Sequence, residues 1–122
     1  MKPVTIVYVT DMDVSLGWYR RLLPHADLVT SSPYWSELSL GDAASLALHR
    51  ADSVSRGSQL GLALTADRPL EAIHADLAAR GVEIDGGFES QPFGRSMLIC
   101  DPDGLAIQIN EHAGDRDPSQ AG

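Results

Sequence analysis

The side chain best suited to chemistry in this sequence of 122 residues is His49, which lies in the strand-like segment Ser45–Arg50. Because histidine titrates near neutral pH, His49 could act as a general acid or base, or could hydrogen-bond a bound molecule. Gln108 lies in a second strand-like segment, and its amide could hold the same molecule. The alternative is a small polar network between these side chains that binds nothing. The two residues therefore suggest either ligand contact or acid–base chemistry.

Other common catalytic motifs are missing from the sequence. It contains no glycine-rich phosphate loop, no Gly-x-Ser-x-Gly elbow and no Cys-x-x-Cys pair. The single cysteine, Cys100, excludes an internal disulfide and is expected to be a small buried hydrophobic residue.

Hydrophobic periodicity and turn signals predict one order of elements twice. The first unit begins with the β-branched strand Val4–Val9 and a helix that Asp11 or Asp13 could cap. The second begins with a strand over residues 59–65 and a helix that ends at Gly81. The remaining predicted strands are residues 26–30, 34–40 and 45–50 in the first unit, and 82–84, 95–100 and 105–110 in the second. The sequence thus predicts an α+β fold of two βαβββ modules.

The boundaries of the modules and of the domain follow from the same periodicity and turn signals. Module one is predicted to span residues 4–50 and module two residues 59–112, within a single domain of residues 1–112. Residues 113–122, which are rich in Gly, Asp, Pro and Ser, are predicted to be a disordered tail.

The two faces of the predicted strands differ in composition. In the segment 105–110, Leu105, Ile107 and Ile109 alternate with small or polar residues, and the segments 45–50 and 59–65 behave in the same way. The alternative to a binding surface is a solvated outer face. Solvated faces usually carry Lys, Glu and Arg, whereas these positions carry Ser, Ala, Gly, Gln, Asn and one His. We therefore predict that they line a concave, partly enclosed cavity.

The charge balance excludes some partners. The chain has 9 Lys and Arg residues against 17 Asp and Glu residues, a formal net charge of −8. Such a surface repels phosphate backbones, so nucleic acid is not expected as a partner. The sequence has no basic amphipathic stretch and no apolar run near 20 residues, so no membrane contact is expected and a cytoplasmic location is predicted.

Three segments together resemble the vicinal oxygen chelate superfamily, which contains glyoxalase I, bleomycin resistance proteins and extradiol dioxygenases. They are Tyr8–Asp13 followed by Trp18-Tyr19, the helix exit Arg80-Gly81-Val82, and the turn Asp101-Pro102-Asp103-Gly104 with the strand after it. The resemblance covers residues 4 to about 112. It implies a concave cavity lined by sheets, and its drug-binding branch implies a homodimer.

The resemblance also locates four positions that hold a divalent metal in the metal-dependent members. They fall on Val4, Ala47, Gln59 (or Leu60 if the register slips by one) and Gln108. Valine and alanine cannot ligate, and two neutral amides fall short of the imidazole and carboxylate donors that such a site needs. His49 could supply a displaced ligand, but no metal and no other cofactor is expected.

The family topology implies that Trp35 and Glu37 face the cavity, where an indole could stack on a flat ring and a carboxylate could pair with a cation. The alternatives are an interface role for Trp35 and a solvated edge position for Glu37. The full set of predicted ligand-binding residues is Tyr8, Trp35, Glu37, His49, Gln59, Phe93, Gln108 and Asn110.

Two functions follow from these expectations. The first is a metal-free protein that binds and sequesters an aromatic or natural-product ligand such as an antibiotic. The second is a glyoxalase-like lyase or isomerase, or a dioxygenase-type enzyme, that uses His49 with or without an atypical metal. The sequence favours the first, because catalysis would rest on the one side chain of His49. The identity of the ligand does not follow from the sequence.

Overall fold

The computed structural model describes residues 4–41, 44–54, 62–92 and 94–112. Within them the chain is α+β and repeats the order strand, helix, three strands, which confirms the predicted fold class. The elements are β1 (Val4–Val9), α1 (Met12–Leu22), β2 (Asp27–Ser31), β3 (Trp35–Ser39), β4 (Ser45–Arg50), β5 (Leu62–Thr65), α2 (Leu70–Ala79), β6 (Asp85–Gln91), β7 (Gly94–Cys100) and β8 (Ala106–His112).

The chain divides into two compact units. The first contains residues 1–59 and 101–104, and the second contains residues 60–100 and 105–122. The turn between β7 and β8 is therefore part of the first unit, although both of its strands belong to the second. Gln59, Phe93 and the predicted tail 113–122 lie outside the described residues.

The first unit is a four-stranded sheet in the order β1-β4-β3-β2, with β1 parallel to β4 and the other pairs antiparallel. Its buried leucines, Leu38, Leu46 and Leu48, lie on strands that α1 contacts. The helix begins where the sequence predicts, because the Asp11 carboxylate accepts a hydrogen bond from the Val14 N–H at 3.1 Å. Burial of this apolar layer holds the sheet and the helix together.

The β7–β8 turn is attached to the first unit by two carboxylates. The Tyr19 hydroxyl donates to Asp101 Oδ2 at 2.7 Å in a buried contact. Asp103 accepts from the Thr10 N–H at 3.0 Å and from the Thr10 hydroxyl at 2.6 Å. Burial and the Asp101 carboxylate both raise the pKa of Tyr19 well above its ordinary value. The turn itself is closed as predicted, with Gly104 at φ +87° donating its N–H to the Asp101 carbonyl.

The second unit repeats the topology as a sheet in the order β5-β8-β7-β6, with β5 parallel to β8. Helix α2 begins at Leu70, after Pro69, and contributes the buried residues Leu70, Ile73 and Leu77. Gly81 follows the helix at φ +79°, the left-handed conformation that the sequence predicts there. The Leu70 N–H donates to the buried Glu111 carboxylate at 2.9 Å, so a distant side chain caps this helix.

Two local expectations are wrong. The sixth strand is Asp85–Gln91 rather than residues 82–84. Its Gly86 has φ +70° and its register against β7 is interrupted, which explains the weak strand signal of this segment. Cys100 is exposed because strand alternation directs it away from the side of the buried Met97 and Ile99.

Candidate functional site

One surface of the first sheet brings together four of the predicted ligand-binding residues. Register and strand alternation place nine side chains on it, which we call the His49 face. They are Val4, Ile6 and Tyr8 from β1, Ser45, Ala47 and His49 from β4, and Trp35, Glu37 and Ser39 from β3.

Three rings form a row across this face. Tyr8 is paired with His49 in register, and His49 is paired with Trp35. The ring centroids of Tyr8 and His49 are 5.3 Å apart, and those of Trp35 and His49 are 5.8 Å apart with planes at 83°. These distances fall in the range of favourable aromatic contacts. The row gives a flat ligand ring three candidate stacking partners.

The tautomer of His49 follows from its hydrogen bond. His49 Nδ1 lies 2.9 Å from the backbone carbonyl oxygen of Arg50, the next residue in the chain. A carbonyl can only accept, so Nδ1 carries the proton. In the neutral ring, Nε2 then holds the lone pair and acts as a hydrogen-bond acceptor or a base.

The β1 edge of the His49 face is apolar and partly open to solvent. Val4, Ile6 and Tyr8 are 39%, 45% and 45% exposed, although they lie on a strand whose alternate residues Val7 and Val9 are buried. Exposed apolar residues in a contiguous group mark binding surfaces more often than isolated ones do. Val4 was predicted only as a metal position, and Ile6 was not predicted as a site residue. The sequence did contain a signal for this exposed apolar surface, since β1 is apolar on both faces.

Two of the described positions that the family resemblance assigns to metal ligands lie on this face and cannot serve as ligands. Val4 and Ala47 are aliphatic, and Ala47 is also fully buried. Gln108 in the second unit offers an amide oxygen, which is a weak, neutral metal ligand. Among residues 4–41, 44–54, 62–92 and 94–112, no cluster of three or more His, Cys, Asp or Glu side chains could hold a metal ion. The side chains described do not fit a divalent metal of the family type.

The second sheet carries the two other predicted ligand-binding residues that the structure describes. Gln108 and Asn110 lie on β8 and share a face with Ala63 and Thr65 of β5 and with Ser96 and Leu98 of β7. We call this the Gln108 face. Asn110 Oδ1 is buried and has no hydrogen-bond partner among the described residues. A buried unpaired amide oxygen is costly, so this position favours an additional donor from water or a ligand.

Sequence reasoning missed the main polar cluster of the second unit. Arg95 donates to both oxygens of the buried Glu111 carboxylate at 2.9 Å, and to both oxygens of Glu71 at 2.7 and 2.8 Å. These hydrogen bonds, first those to Glu71 and then those to Glu111, raise the pKa of Arg95 above its ordinary value. Its guanidinium also lies 5.2 Å from the centre of the Phe88 ring. Arg95 is therefore a structural residue held by two carboxylates.

Comparison with known proteins agrees with this fold. The sequence profile of the Glyoxalase/Bleomycin resistance protein/Dioxygenase superfamily matches residues 3–109. The chain belongs to that superfamily, as its sequence predicts. A search of curated protein sequences finds no significant match.

Solved structures of the same fold include an antibiotic binding protein from Streptomyces sp. CB03234. It is 29% identical, with a TM-score of 0.70 over 92% of this chain and 97% of that one. A glyoxalase/bleomycin resistance protein from Catenulispora acidiphila is 25% identical, with a TM-score of 0.73 over 91% and 97% of the two chains. A lactoylglutathione lyase from Agrobacterium tumefaciens shares the fold at 18% identity, with a TM-score of 0.71 over 91% and 92%. The superfamily thus contains both binding proteins and enzymes.

In the part of the chain that the structure describes, neither helix has the length and apolar character needed to span a membrane.

Proposed function

We propose that the protein binds a small molecule with a flat aromatic ring on the His49 face and sequesters it without chemical change. The observation that carries this proposal is the ring row of Tyr8, His49 and Trp35. The row lies on the same face as Val4 and Ala47, aliphatic residues at positions that the family resemblance assigns to metal ligands. Stacking and apolar burial need no metal, whereas the chemistry of the metal-dependent members does.

Two further observations support binding. The exposed apolar side chains of Val4 and Ile6 extend the ring row and would gain about 25 cal/mol for each Å² that a ligand covers. The antibiotic binding protein from Streptomyces matches nearly the whole chain at 29% identity. An antibiotic or another natural product is therefore our preferred ligand class, and resistance by sequestration is the corresponding biological role.

We propose Gln108 and Asn110 of the second unit as further ligand contacts, whose amides would hydrogen-bond polar groups on the Gln108 face. Gln59 and Phe93 remain proposed ligand contacts, as does Glu37 on the His49 face. We also propose that the protein acts as a homodimer in the cytoplasm, with no resident metal or other cofactor.

The test is a panel of planar natural products titrated into the protein, with intrinsic fluorescence as the readout. The chain has two tryptophans, and only Trp35 lies on the His49 face, whereas Trp18 is buried on α1. A ligand-dependent change that persists in Trp18→Phe and disappears in Trp35→Phe would support the proposal. The proposal fails if no member of the panel binds, or if binding requires stoichiometric metal that elemental analysis finds in the purified protein.

A second candidate function is acid–base catalysis by His49. The hydrogen bond from Nδ1 to the Arg50 carbonyl oxygen leaves Nε2 with the lone pair that a general base needs. The measurement is product analysis after prolonged incubation with any ligand that the panel identifies. Turnover that His49→Ala abolishes, with ligand affinity retained, would establish the enzyme, whereas recovery of unchanged ligand supports sequestration.

A further inference from the structure

The His49 face also constrains the chemical class of the ligand, an inference that rests on the proposed function. We propose that the ligand presents a hydrogen-bond donor at the edge of its aromatic ring, a ring hydroxyl or ring N–H, to His49 Nε2. We further propose that the ligand is not anionic.

The position of the proton on the His49 imidazole determines which ligand group can bind to it. The only role open to the Arg50 carbonyl oxygen is that of acceptor, so its contact of 2.9 Å with Nδ1 fixes the ring proton on that nitrogen. Nε2 of the neutral ring can then accept and cannot donate. A ligand group that only accepts, such as an ether oxygen, gains nothing from this nitrogen.

The two rings beside the imidazole determine how a ligand approaches Nε2. His49 lies between Tyr8 and Trp35 in the register of three adjacent strands, and its ring contacts both of theirs. A flat ring stacked on Tyr8 or Trp35 therefore has its edge beside the imidazole. The donor belongs at the ring edge, because a donor on a long flexible substituent would lose more conformational entropy on binding.

The charge on and around the His49 face also restricts the ligand. Glu37 is two residues from Trp35 on the same strand and shares the His49 face. It is half-buried, so a ligand on this face approaches a carboxylate that water screens only in part. The whole chain carries a net charge of −8. Both the local and the overall charge oppose an anionic ligand.

Three naphthalene probes separate these features. 2-Naphthol offers a ring-edge donor, 2-methoxynaphthalene offers only an acceptor, and 2-naphthoate is an anion of similar shape. Their affinities would be measured by chemical-shift titration of the full-length protein at pH 8, above the ordinary histidine pKa of about 6.5. We expect 2-naphthol to bind about threefold to tenfold more tightly than 2-methoxynaphthalene, the range that one neutral hydrogen bond provides. 2-Naphthoate should bind most weakly.

The variant His49→Phe keeps a ring in the row and removes the acceptor. It should bind 2-naphthol and 2-methoxynaphthalene equally, while His25→Ala, a change at an exposed histidine after α1, should keep the preference. Long-range ¹H–¹⁵N spectra of wild type should show His49 protonated at Nδ1.

The possible failures are distinguishable. Equal binding of the hydroxyl and methoxy probes to wild type, or a His49 protonated at Nε2, would overturn this inference and leave aromatic binding intact. Tightest binding of 2-naphthoate would overturn the charge argument. If none of the three probes shifts a resonance of the His49 face, the proposed function itself fails and this inference fails with it.

Discussion

The two sheets have the same topology and register but different surfaces. The row Tyr8–His49–Trp35 of the first sheet and the row Thr65–Asn110–Ser96 of the second each cross the parallel edge strand, the central strand and its antiparallel neighbour in turn. Three rings in one module are thus replaced by a hydroxyl, an amide and a second hydroxyl in the other. The backbone repeat sets where side chains lie, and the residues placed there set what each face can bind.

The interiors differ as well. In the described residues, the first unit buries the Tyr19–Asp101 hydrogen bond, whereas the second buries the Glu111 carboxylate with Arg95 and the start of α2. A charged pair of this kind contributes less to stability than its short distances suggest. Removing one partner is nevertheless strongly destabilising, because the other charge stays buried. Each module should therefore respond differently to the loss of one polar group.

The largest expected effect is in the second unit. Arg95→Met removes the cation from a carboxylate that is 2% exposed and should lower the free energy of unfolding by about 3 kcal/mol. Glu71→Gln changes the other, 61% exposed, partner of Arg95 and should cost less than about 1 kcal/mol. Urea denaturation of both variants measures the difference. Equal, small effects would mean that the buried pair is not the basis of this unit's stability.

The corresponding change in the first unit should be milder. Tyr19→Phe leaves Asp101 without its buried donor and should cost about 1–2 kcal/mol in the free energy of unfolding. Asp101 keeps a hydrogen bond from the Asp103 N–H at 3.0 Å, so the carboxylate is not wholly unpaired.

The same tyrosine predicts a pH dependence. Its pKa is raised in the folded state, so above pH 10.0, the ordinary tyrosine value, the unfolded chain loses a proton that the folded protein retains. Stability should therefore be constant with respect to this group below pH 10 and fall above it by about 1.4 kcal/mol per pH unit. Thermal unfolding of wild type and Tyr19→Phe across pH 9–11 isolates this term. Parallel curves for the two proteins would contradict the buried hydrogen bond.

Variants on the two faces should also differ in ligand affinity, by a smaller free energy than the stability changes above. Trp35→Ala should weaken binding of an aromatic ligand about tenfold, because an indole contributes both stacking and apolar burial. Ser96→Ala changes the equivalent position of the second sheet and should change affinity less than about threefold. Calorimetric titration of both folded variants gives the comparison. A larger loss in Ser96→Ala would move the aromatic site to the Gln108 face.

The smallest expected effect is that of divalent metal. Ions that do not bind the folded state cannot stabilise it, so Zn²⁺ or Ni²⁺ should raise the Tm of the EDTA-treated protein by less than about 1 °C. A saturable increase at one ion per chain, lost in His49→Ala, would show that a displaced ligand set does hold a metal.

Local signals in the sequence predicted much of this structure. The Asp11 cap, the Gly81 helix exit and the Asp101–Gly104 turn each depend on residues within a few positions, and each is confirmed. Strand alternation together with the topology implied by the family resemblance predicted Trp35, Glu37 and His49 on one face, as the register of β3 and β4 shows.

Features that depend on distant residues were not predictable in the same way. The hydrogen bond from Arg95 to Glu111 joins adjacent strands, and the cap on Leu70 comes from 41 residues away. Strand β6 was misplaced because its Gly86-Gly87 pair disfavours strands in isolation and is held by pairing with β7. The tautomer of His49, on which the ligand class depends, required the position of one carbonyl oxygen.

The measurement that tests the central claim most directly is chemical-shift mapping of an aromatic ligand on isotope-labelled protein kept in EDTA. We predict that binding persists without metal and that the largest changes fall on Tyr8, Trp35 and His49. Binding that disappears in EDTA and returns with a divalent ion would contradict the account. So would changes confined to the Gln108 face.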